Sequence, residues 1–80
     1  MATVRLFASA RVAAGTGRAT IDGPTVGDVL EEARARFGPE FSAVLDGCRI
    51  WVNGDTATES DPVGDDDEVA VLPPVSGGHR

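Results

Sequence analysis

The chain has 80 residues, of which 41% are hydrophobic and 25% are charged, and its formal net charge is -6. A chain of this size forms one domain with a modest core and has no room for an enclosed active-site cleft. The composition is that of a folded protein and excludes disorder throughout the chain. An acidic chain gains no net counterion release on a phosphate backbone, which excludes nucleic acid as an expected partner.

The cysteine content and the first residues indicate the compartment. Cys48 is the only cysteine, so it can form neither an intrachain disulfide nor a four-thiolate iron–sulfur cluster. We expect it to be a buried, unreactive thiol. Residues 1–15 contain no apolar run long enough for a signal peptide or a membrane span. We therefore expect a cytoplasmic protein with no membrane partner.

Two strands are predicted near the start of the chain. Residues 2–8, ATVRLFA, alternate in the period of a strand that buries one face. Residues 18–22, RATID, predict a second strand after a loop at 10–17, ARVAAGTG. A hairpin is the simplest connection between the two.

Helix signals occur together in PTVGDVLEEARARF. Thr25 followed by Asp28 has the spacing of a capping box, and Gly38-Pro39 ends the pattern. Acidic residues lie in the first turns and arginines near the end, the order that complements the helix dipole. The apolar residues at helical spacing are Val26, Val29, Leu30, Ala33 and Phe37. This stretch predicts the main helix of the domain.

The second half of the chain predicts three more strands. Residues 39–47 are interpreted as a turn of uncertain form, and residues 48–53, CRIWVN, as a strand. Asn53-Gly54 is typical of a type I′ turn and leads into a short strand at 55–59.

The last strand, residues 68–72, follows a further turn at 61–64 and ends at Pro73-Pro74, which donates no ladder hydrogen bonds. One main helix on one face of a mixed sheet of four or five strands gives a two-layer α+β domain.

The sheet face opposite the helix is predicted to remain partly apolar. Exposed apolar patches usually mark a partner surface, and Trp and Arg are enriched at binding hot spots. We expect such a surface here; in the alternative, one strand is out of register and Trp51 belongs to the core. The acidic run at 65–68 is either a solvated turn or a rim that pairs with an arginine-rich partner. The side chains expected on this face are Arg5, Phe7, Arg49, Trp51, Ala70 and Leu72.

The segment after the last strand is the most specific feature. Pro73-Pro74 favours an extended backbone that holds the following residues away from the sheet. Ser76, Gly77 and Gly78 have almost no side chain, so their main chain fits a narrow channel and can bring a carboxylate beside a ligand. A disordered terminus is the alternative.

Taken together, these segments resemble the MoaD/ThiS family of ubiquitin-like, β-grasp sulfur carrier proteins, and its MoaD branch most. The matching segments are VRLFASAR, PTVGDVLEEARARF, WVNGD and DPVGDDDEVAVLPPVSGG. The last is the most specific, because an acid-rich turn, a strand, Pro-Pro and Gly-Gly follow one another in the family's order. The resemblance implies a β-grasp domain over residues 1–75 and a flexible tail over residues 76–80.

The resemblance also implies a sulfur carrier that is a protein co-substrate and not an enzyme. The carboxylate of Gly78, preceded by the slender Gly77, would be adenylated with ATP by a ubiquitin-activating-type adenylyltransferase of the MoeB/ThiF class. A sulfurtransferase or rhodanese domain would then convert it to a thiocarboxylate, which the large subunit of molybdopterin synthase would accept as its sulfur source. The chain itself would hold no cofactor and no metal. The side chains expected to contact partners are Phe7, Arg11 in the loop after the first strand, Trp51, Leu72 and Val75.

His79-Arg80 departs from the family pattern, in which the chain usually ends at the second glycine. As written, Gly78 is held in a peptide bond. We expect a peptidase to remove the two residues; a cloning remnant and a chain that is never activated are the alternatives.

Other functions remain open at this point. CysO-like and ThiS-like relatives use the same thiocarboxylate for cysteine, thiamine, thiolated tRNA or secondary metabolites, and the sequence does not separate these pathways. A protein modifier joined through Gly78 to lysines of other proteins is a second class. A non-covalent module that uses only the exposed sheet face is a third.

Overall fold

The computed structural model describes residues 1–74, and within them the chain forms five strands and three helices. In chain order the elements are β1 (Ala2–Leu6), α1 (Ala8–Ala14), β2 (Arg18–Ile21), α2 (Val26–Phe37), α3 (Pro39–Leu45), β3 (Arg49–Val52), β4 (Asp55–Thr56) and β5 (Glu68–Leu72). The predicted tail at 76–80 and the predicted domain boundary at 75 lie outside the described residues.

The strands form one mixed sheet in the order β2-β1-β5-β3-β4. β1 and β5 are parallel, and the other neighbouring pairs are antiparallel. The last strand of the chain is therefore the central strand of the sheet. This is the predicted two-layer α+β architecture, with β1 and β2 paired as expected but joined through a helix.

Two short helices, α1 and α3, were not predicted. The prediction of a loop at 10–17 is wrong for most of its length, because helix α1 covers residues 8–14. The helix ends at Gly15, which has the left-handed conformation. The turn predicted at 39–47 is mostly α3, which Pro39 starts as its first residue. Both helices pack on each other and on the same core as α2, so the helical layer is broader than one main helix.

The main helix α2 begins as its sequence predicts. Thr25 is its N-cap, and the Thr25 hydroxyl accepts a hydrogen bond of 3.2 Å from the Asp28 amide. Gly27, one residue into the helix, donates its amide to the Glu59 carbonyl at 2.8 Å. A Cβ on Gly27 would lie 3.1 Å from that same carbonyl oxygen, so the close approach of the loop after β4 favours glycine here.

The turn between β3 and β4 has the predicted conformation. Asn53 has φ 51° and Gly54 has φ 89°, and a type I′ turn needs positive φ at both central residues. The prediction of this turn is confirmed, although β4 itself is shorter than expected.

A single apolar core lies between the sheet and the helices. The largest side chains buried in it are Phe41, Leu6, Ile21, Val4, Val26, Val29, Val69 and Val71. Phe41 from the unpredicted α3 is fully buried and packs edge-to-face on Phe37, with 5.2 Å between the ring centroids. None of the helices in residues 1–74 is long and apolar enough to cross a membrane.

Candidate functional site: the open sheet face and the end of the central strand

The sheet face that no helix covers carries a groove, and the register of three strands builds it. Ala70 on the central strand lies opposite Arg5 of β1 on one side and opposite Trp51 of β3 on the other. Because the alanine side chain is short, it forms the floor between larger neighbours. We call this surface the open face; its members in the described chain are Arg5, Phe7, Arg18, Arg49, Trp51, Glu68, Ala70 and Leu72.

The groove has a volume of about 300 Å³ and is mainly apolar. Its lining residues are Phe7, Trp51, Gly54, Glu68, Ala70 and Leu72. Trp51 is half-buried and lies outside the core cluster, so the strand is in the predicted register and the alternative with Trp51 in the core is wrong. The structure thus brings Phe7, Trp51 and Leu72 together on one surface, as the sequence predicted.

Arg5 joins the two ends of the groove. Its guanidinium contacts Glu68 at 3.3 Å, and its Cζ lies 5.9 Å from the centre of the Phe7 ring. Both contacts are exposed, so each contributes little to stability. Their effect is on orientation, because they restrain Arg5 and Phe7 beside the groove floor.

The central strand ends at one edge of this groove. Leu72, its last residue, lies opposite Arg49, and the Phe7 amide donates to the Val71 carbonyl at 3.3 Å. Pro73 is half-buried and Pro74 is exposed, so the chain leaves the sheet directly beside the groove.

Arg11 does not lie where the sequence suggested. It belongs to helix α1 and not to a loop, and it does not line the groove. Its side chain lies against Gly17, since a Cβ at that glycine would be 3.3 Å from Arg11 Nε. The remaining predicted site residues, Val75, Gly77 and Gly78, lie outside the described residues, so their roles stay predictions.

A hydrogen-bond network that the sequence reasoning missed holds the opposite end of the groove. Asn53 Nδ2 donates to Asp67 Oδ1 at 2.8 Å, and the Glu68 amide donates to Asn53 Oδ1 at 2.9 Å. The Gly64 amide donates to Asp67 Oδ2 at 2.7 Å. These hydrogen bonds hold the pKa of Asp67 below its usual range, and the bond from Gly64 has a larger effect than the bond from Asn53. Three of the four acids at 65–68 have partners within the described residues: Asp65 pairs with the N-terminal ammonium of Met1, Asp67 with Gly64 and Asn53, and Glu68 with Arg5.

Cys48 has the environment of an unreactive thiol. It is half-buried, its Sγ donates to the Val44 carbonyl at 3.2 Å, and burial raises its pKa. A thiol with a raised pKa carries little thiolate at neutral pH. It borders a second cavity of about 400 Å³ at the edge of β3. In residues 1–74 no cluster of three His, Cys, Asp or Glu side chains is arranged to hold a metal ion.

The comparison with protein families shows to which family this chain belongs. The sequence model of the ThiS family matches residues 4–78, which is nearly the whole chain. The chain belongs to the ThiS family. Its relatives are small ubiquitin-like sulfur carriers, as the resemblance implied.

Solved structures support the membership of the ThiS family and confirm the β-grasp fold. Small archaeal modifier protein 1 of Haloferax volcanii is 33% identical, with a TM-score of 0.79 over 95% of this chain and 97% of that one. The protein of the same name from Methanosarcina acetivorans is 30% identical, with a TM-score of 0.86 over 96% and 95% of the two chains. A putative molybdopterin converting factor, subunit 1, of Pyrococcus furiosus is 30% identical, with a TM-score of 0.81 over 92% and 97%.

Proposed function

We propose that this protein carries sulfur as a thiocarboxylate on Gly78 and donates it to a partner enzyme in molybdopterin biosynthesis. The observation that carries the proposal is the extent of the family match, which runs through Gly77 and Gly78 and stops before His79. The geometry of the described domain supports it, because the central strand ends at an open apolar groove and is followed by Pro73-Pro74, a pair that favours an extended backbone.

This chemistry requires few reactive groups on the chain itself. Gly78 supplies a carboxylate that a ubiquitin-activating-type adenylyltransferase activates with ATP, and a sulfurtransferase or rhodanese domain supplies the sulfur. Positioning and charge stabilisation then belong to those partners. The protein acts as a co-substrate that is consumed and regenerated once in each cycle, and we place this cycle in the cytoplasm.

Activation requires cleavage of the peptide bond between Gly78 and His79. While that bond is intact, Gly78 has an amide and no carboxylate to adenylate. We propose that a peptidase removes His79-Arg80 before the first cycle. The family match up to Gly78 supports the position of this cleavage.

The molybdopterin branch is supported by the Pyrococcus furiosus protein, whose name is that of a molybdopterin converting factor subunit and whose identity to this chain is 30%. In this branch the sulfur acceptor is the large subunit of molybdopterin synthase. Carriers for cysteine, thiamine, thiolated tRNA or secondary metabolites share the same chemistry up to the acceptor.

A second candidate function is protein modification through Gly78. It is supported by the two archaeal relatives at 33% and 30% identity, both of which are named small archaeal modifier proteins. In that function the activated glycine forms an amide with a lysine of another protein.

Intact mass spectrometry of the protein from its native cell tests the cleavage. We expect a chain that ends at Gly78, with or without one oxygen replaced by sulfur. Recovery of the full-length chain alone, together with no adenylation of a chain of residues 1–78, would overturn the proposal.

An incubation with ATP, the adenylyltransferase and a sulfur source separates the two functions. The 1–78 chain is compared with the 1–80 chain, in which Gly78 is blocked, and with a Gly78→Ala variant of the 1–78 chain. A free 1–78 chain that gains sulfur identifies a carrier. Covalent adducts with purified acceptor proteins, lost in both controls, identify a modifier.

A further inference from the structure

We propose that the outer edge of β2 is a latent self-association site and that the side chains of Thr16 and Arg36 keep it closed. With the edge closed, the chain stays single. With the edge open, β2 would pair antiparallel with β2 of a second copy. The site lies on the edge of the sheet and not in the groove, and it is independent of the proposed sulfur chemistry.

β2 is the edge of the sheet at which another strand could be added. The strand order places β2 at one end of the sheet and β4 at the other. β2 has four residues, whereas β4 has two and offers little length for pairing. An edge strand presents amide and carbonyl groups that a strand of another chain can bind, and native proteins usually block such edges.

The pairing of β2 with β1 fixes which backbone groups point outward. The Leu6 amide donates to the Gly17 carbonyl at 3.0 Å. In an antiparallel pair, residues that bond across the ladder alternate with residues that do not. Arg18 lies opposite Arg5, one position along from Gly17, so Arg18 and then Thr20 direct their backbone groups away from β1. Two amides and two carbonyls of β2 therefore face the outer edge.

Thr16 covers both outward groups of Arg18. The Arg18 amide donates to Thr16 Oγ1 at 3.3 Å, and Thr16 Oγ1 donates to the Arg18 carbonyl at 3.0 Å. A hydroxyl has one proton and two lone pairs, so it can donate and accept at the same time. One side chain thus occupies the backbone donor and the backbone acceptor that an added strand would need.

Arg36 covers the outward carbonyl of Thr20. It reaches the edge from the last turns of α2, and its Nη1 donates to the Thr20 carbonyl at 3.1 Å. Its Nη2 lies 3.9 Å from Glu32 Oε2, one turn earlier on the same helix, and this contact helps to orient the guanidinium. The Thr20 amide is the fourth outward group, and no side chain covers it within residues 1–74.

Three of the four outward groups are therefore bonded within the chain. A strand added to this edge would have to displace those hydrogen bonds and move a charged guanidinium aside. The partner that the open edge fits is a second copy, because its β2 presents the same row of groups. A two-fold axis then sets the donors of one copy against the acceptors of the other.

A double variant of the full-length chain tests the closure. Thr16→Val removes the hydroxyl at nearly constant shape, and Arg36→Met removes the guanidinium but keeps an unbranched side chain. Sedimentation equilibrium measures self-association. We expect the dimer Kd of the double variant to be at least about 10-fold lower than that of the unmodified chain, because several backbone groups become free to pair.

Two control variants accompany it. Thr16→Ser with Arg36→Lys retains a hydroxyl and a cationic donor, and is expected to keep the Kd of the unmodified chain. Thr58→Val with Arg49→Met removes one hydroxyl and one positive charge at exposed positions on the β3–β4 side of the domain. It is also expected to leave the Kd unchanged.

Amide hydrogen exchange locates the contact. In the unmodified chain the Arg18 amide, bonded to Thr16, should exchange more slowly than the Thr20 amide. When the double variant associates, the amides of Arg18 and Thr20 should both become protected, while that of Thr56 on the opposite edge strand should not change.

Three results would overturn the proposal: a double variant with the Kd of the unmodified chain, association without protection of Arg18 and Thr20, or a control variant that associates as strongly. If the double variant does not fold, the single Thr16→Val variant decides. Its Arg18 amide should exchange as fast as its Thr20 amide, and an unchanged rate at Arg18 would show that Thr16 does not close the edge.

Discussion

Asn53 Nδ2 donates a hydrogen bond of 2.8 Å to Asp67 Oδ1, and this contact joins the β3–β4 turn to the loop that precedes the central strand. Asn53 also accepts from the Glu68 amide at 2.9 Å. The residue that adopts the left-handed conformation of the turn thus also fixes the start of β5. One side chain sets both the shape of the hairpin and one end of the groove.

Substitutions at Asn53 are expected to separate these two effects. Asn53→Gly keeps the positive φ and removes the side-chain hydrogen bonds, which lowers the free energy of unfolding by roughly 1 kcal/mol. Asn53→Ala removes the same bonds and also lacks the tolerance of asparagine and glycine for the left-handed region, so it should cost about 1 kcal/mol more than Asn53→Gly. Urea unfolding followed by Trp51 fluorescence measures both. Equal stability of the two variants would contradict the conformational part of the explanation.

The lowered pKa of Asp67 predicts a specific acid sensitivity. A carboxyl whose pKa is lower in the folded state stabilises the fold above its unfolded pKa, about 4, and loses that contribution as the pH falls through the folded value. Asp67→Asn is therefore expected to destabilise the protein at pH 6 and to approach the unmodified protein in stability as the pH falls through the lowered pKa of Asp67. Asp66→Asn is the charge-matched control. The explanation fails if the difference between Asp67→Asn and the unmodified protein does not shrink with acid.

The cap of α2 is expected to contribute a measurable part of the stability. Thr25 Oγ1 accepts from the Asp28 amide at 3.2 Å and donates to Asp28 Oδ2 at 2.9 Å. Thr25→Ala removes both and should cost about 1 kcal/mol in free energy of unfolding, whereas Thr25→Ser retains the hydroxyl and should cost less. Thermal and urea unfolding of the pair check the difference, and equal losses would argue against the cap.

Filling the groove is expected to impair partner binding without harming the fold. In Ala70→Leu of the 1–78 chain a larger apolar side chain fills the groove floor that a docked partner would cover, so the KM of the carrier in the adenylation assay should rise about 10-fold. Ala43→Leu, on an exposed position of α3, is the control for added apolar surface. An Ala70→Leu variant with the KM of the otherwise unmodified 1–78 chain would show that this groove is not covered during activation.

Much of the fold followed from local patterns in the sequence. The period-two alternation gave both faces of β1 and β5, and the prediction of Trp51 on the open face proved right because each neighbouring strand alternates in the same way. Thr25 and Asp28 marked the start of α2, and Asn53-Gly54 marked the β3–β4 turn. Each of these signals acts between residues close in sequence.

The two short helices were missed because their local signals are weak. Helix α1 begins after Phe7, whose side chain cannot cap a helix. Its first residue, Ala8, has a φ of 51°, which no sequence pattern predicts. Seven residues are too few to form a stable helix alone, so packing against α3 maintains it. Gly15 at its end, and the spacing of Phe41 and Leu45 after Pro39 in α3, are the signals that would have found them.

The sequence by itself determined the strand faces and the main helix, because alternation and caps are properties of neighbouring residues. Only the tertiary structure decided that the last strand lies at the centre of the sheet, that Ala70 becomes a groove floor between Arg5 and Trp51, and that Asn53 meets Asp67. These relationships join residues 14 to 65 positions apart, and burial of one shared core selects the register that creates them.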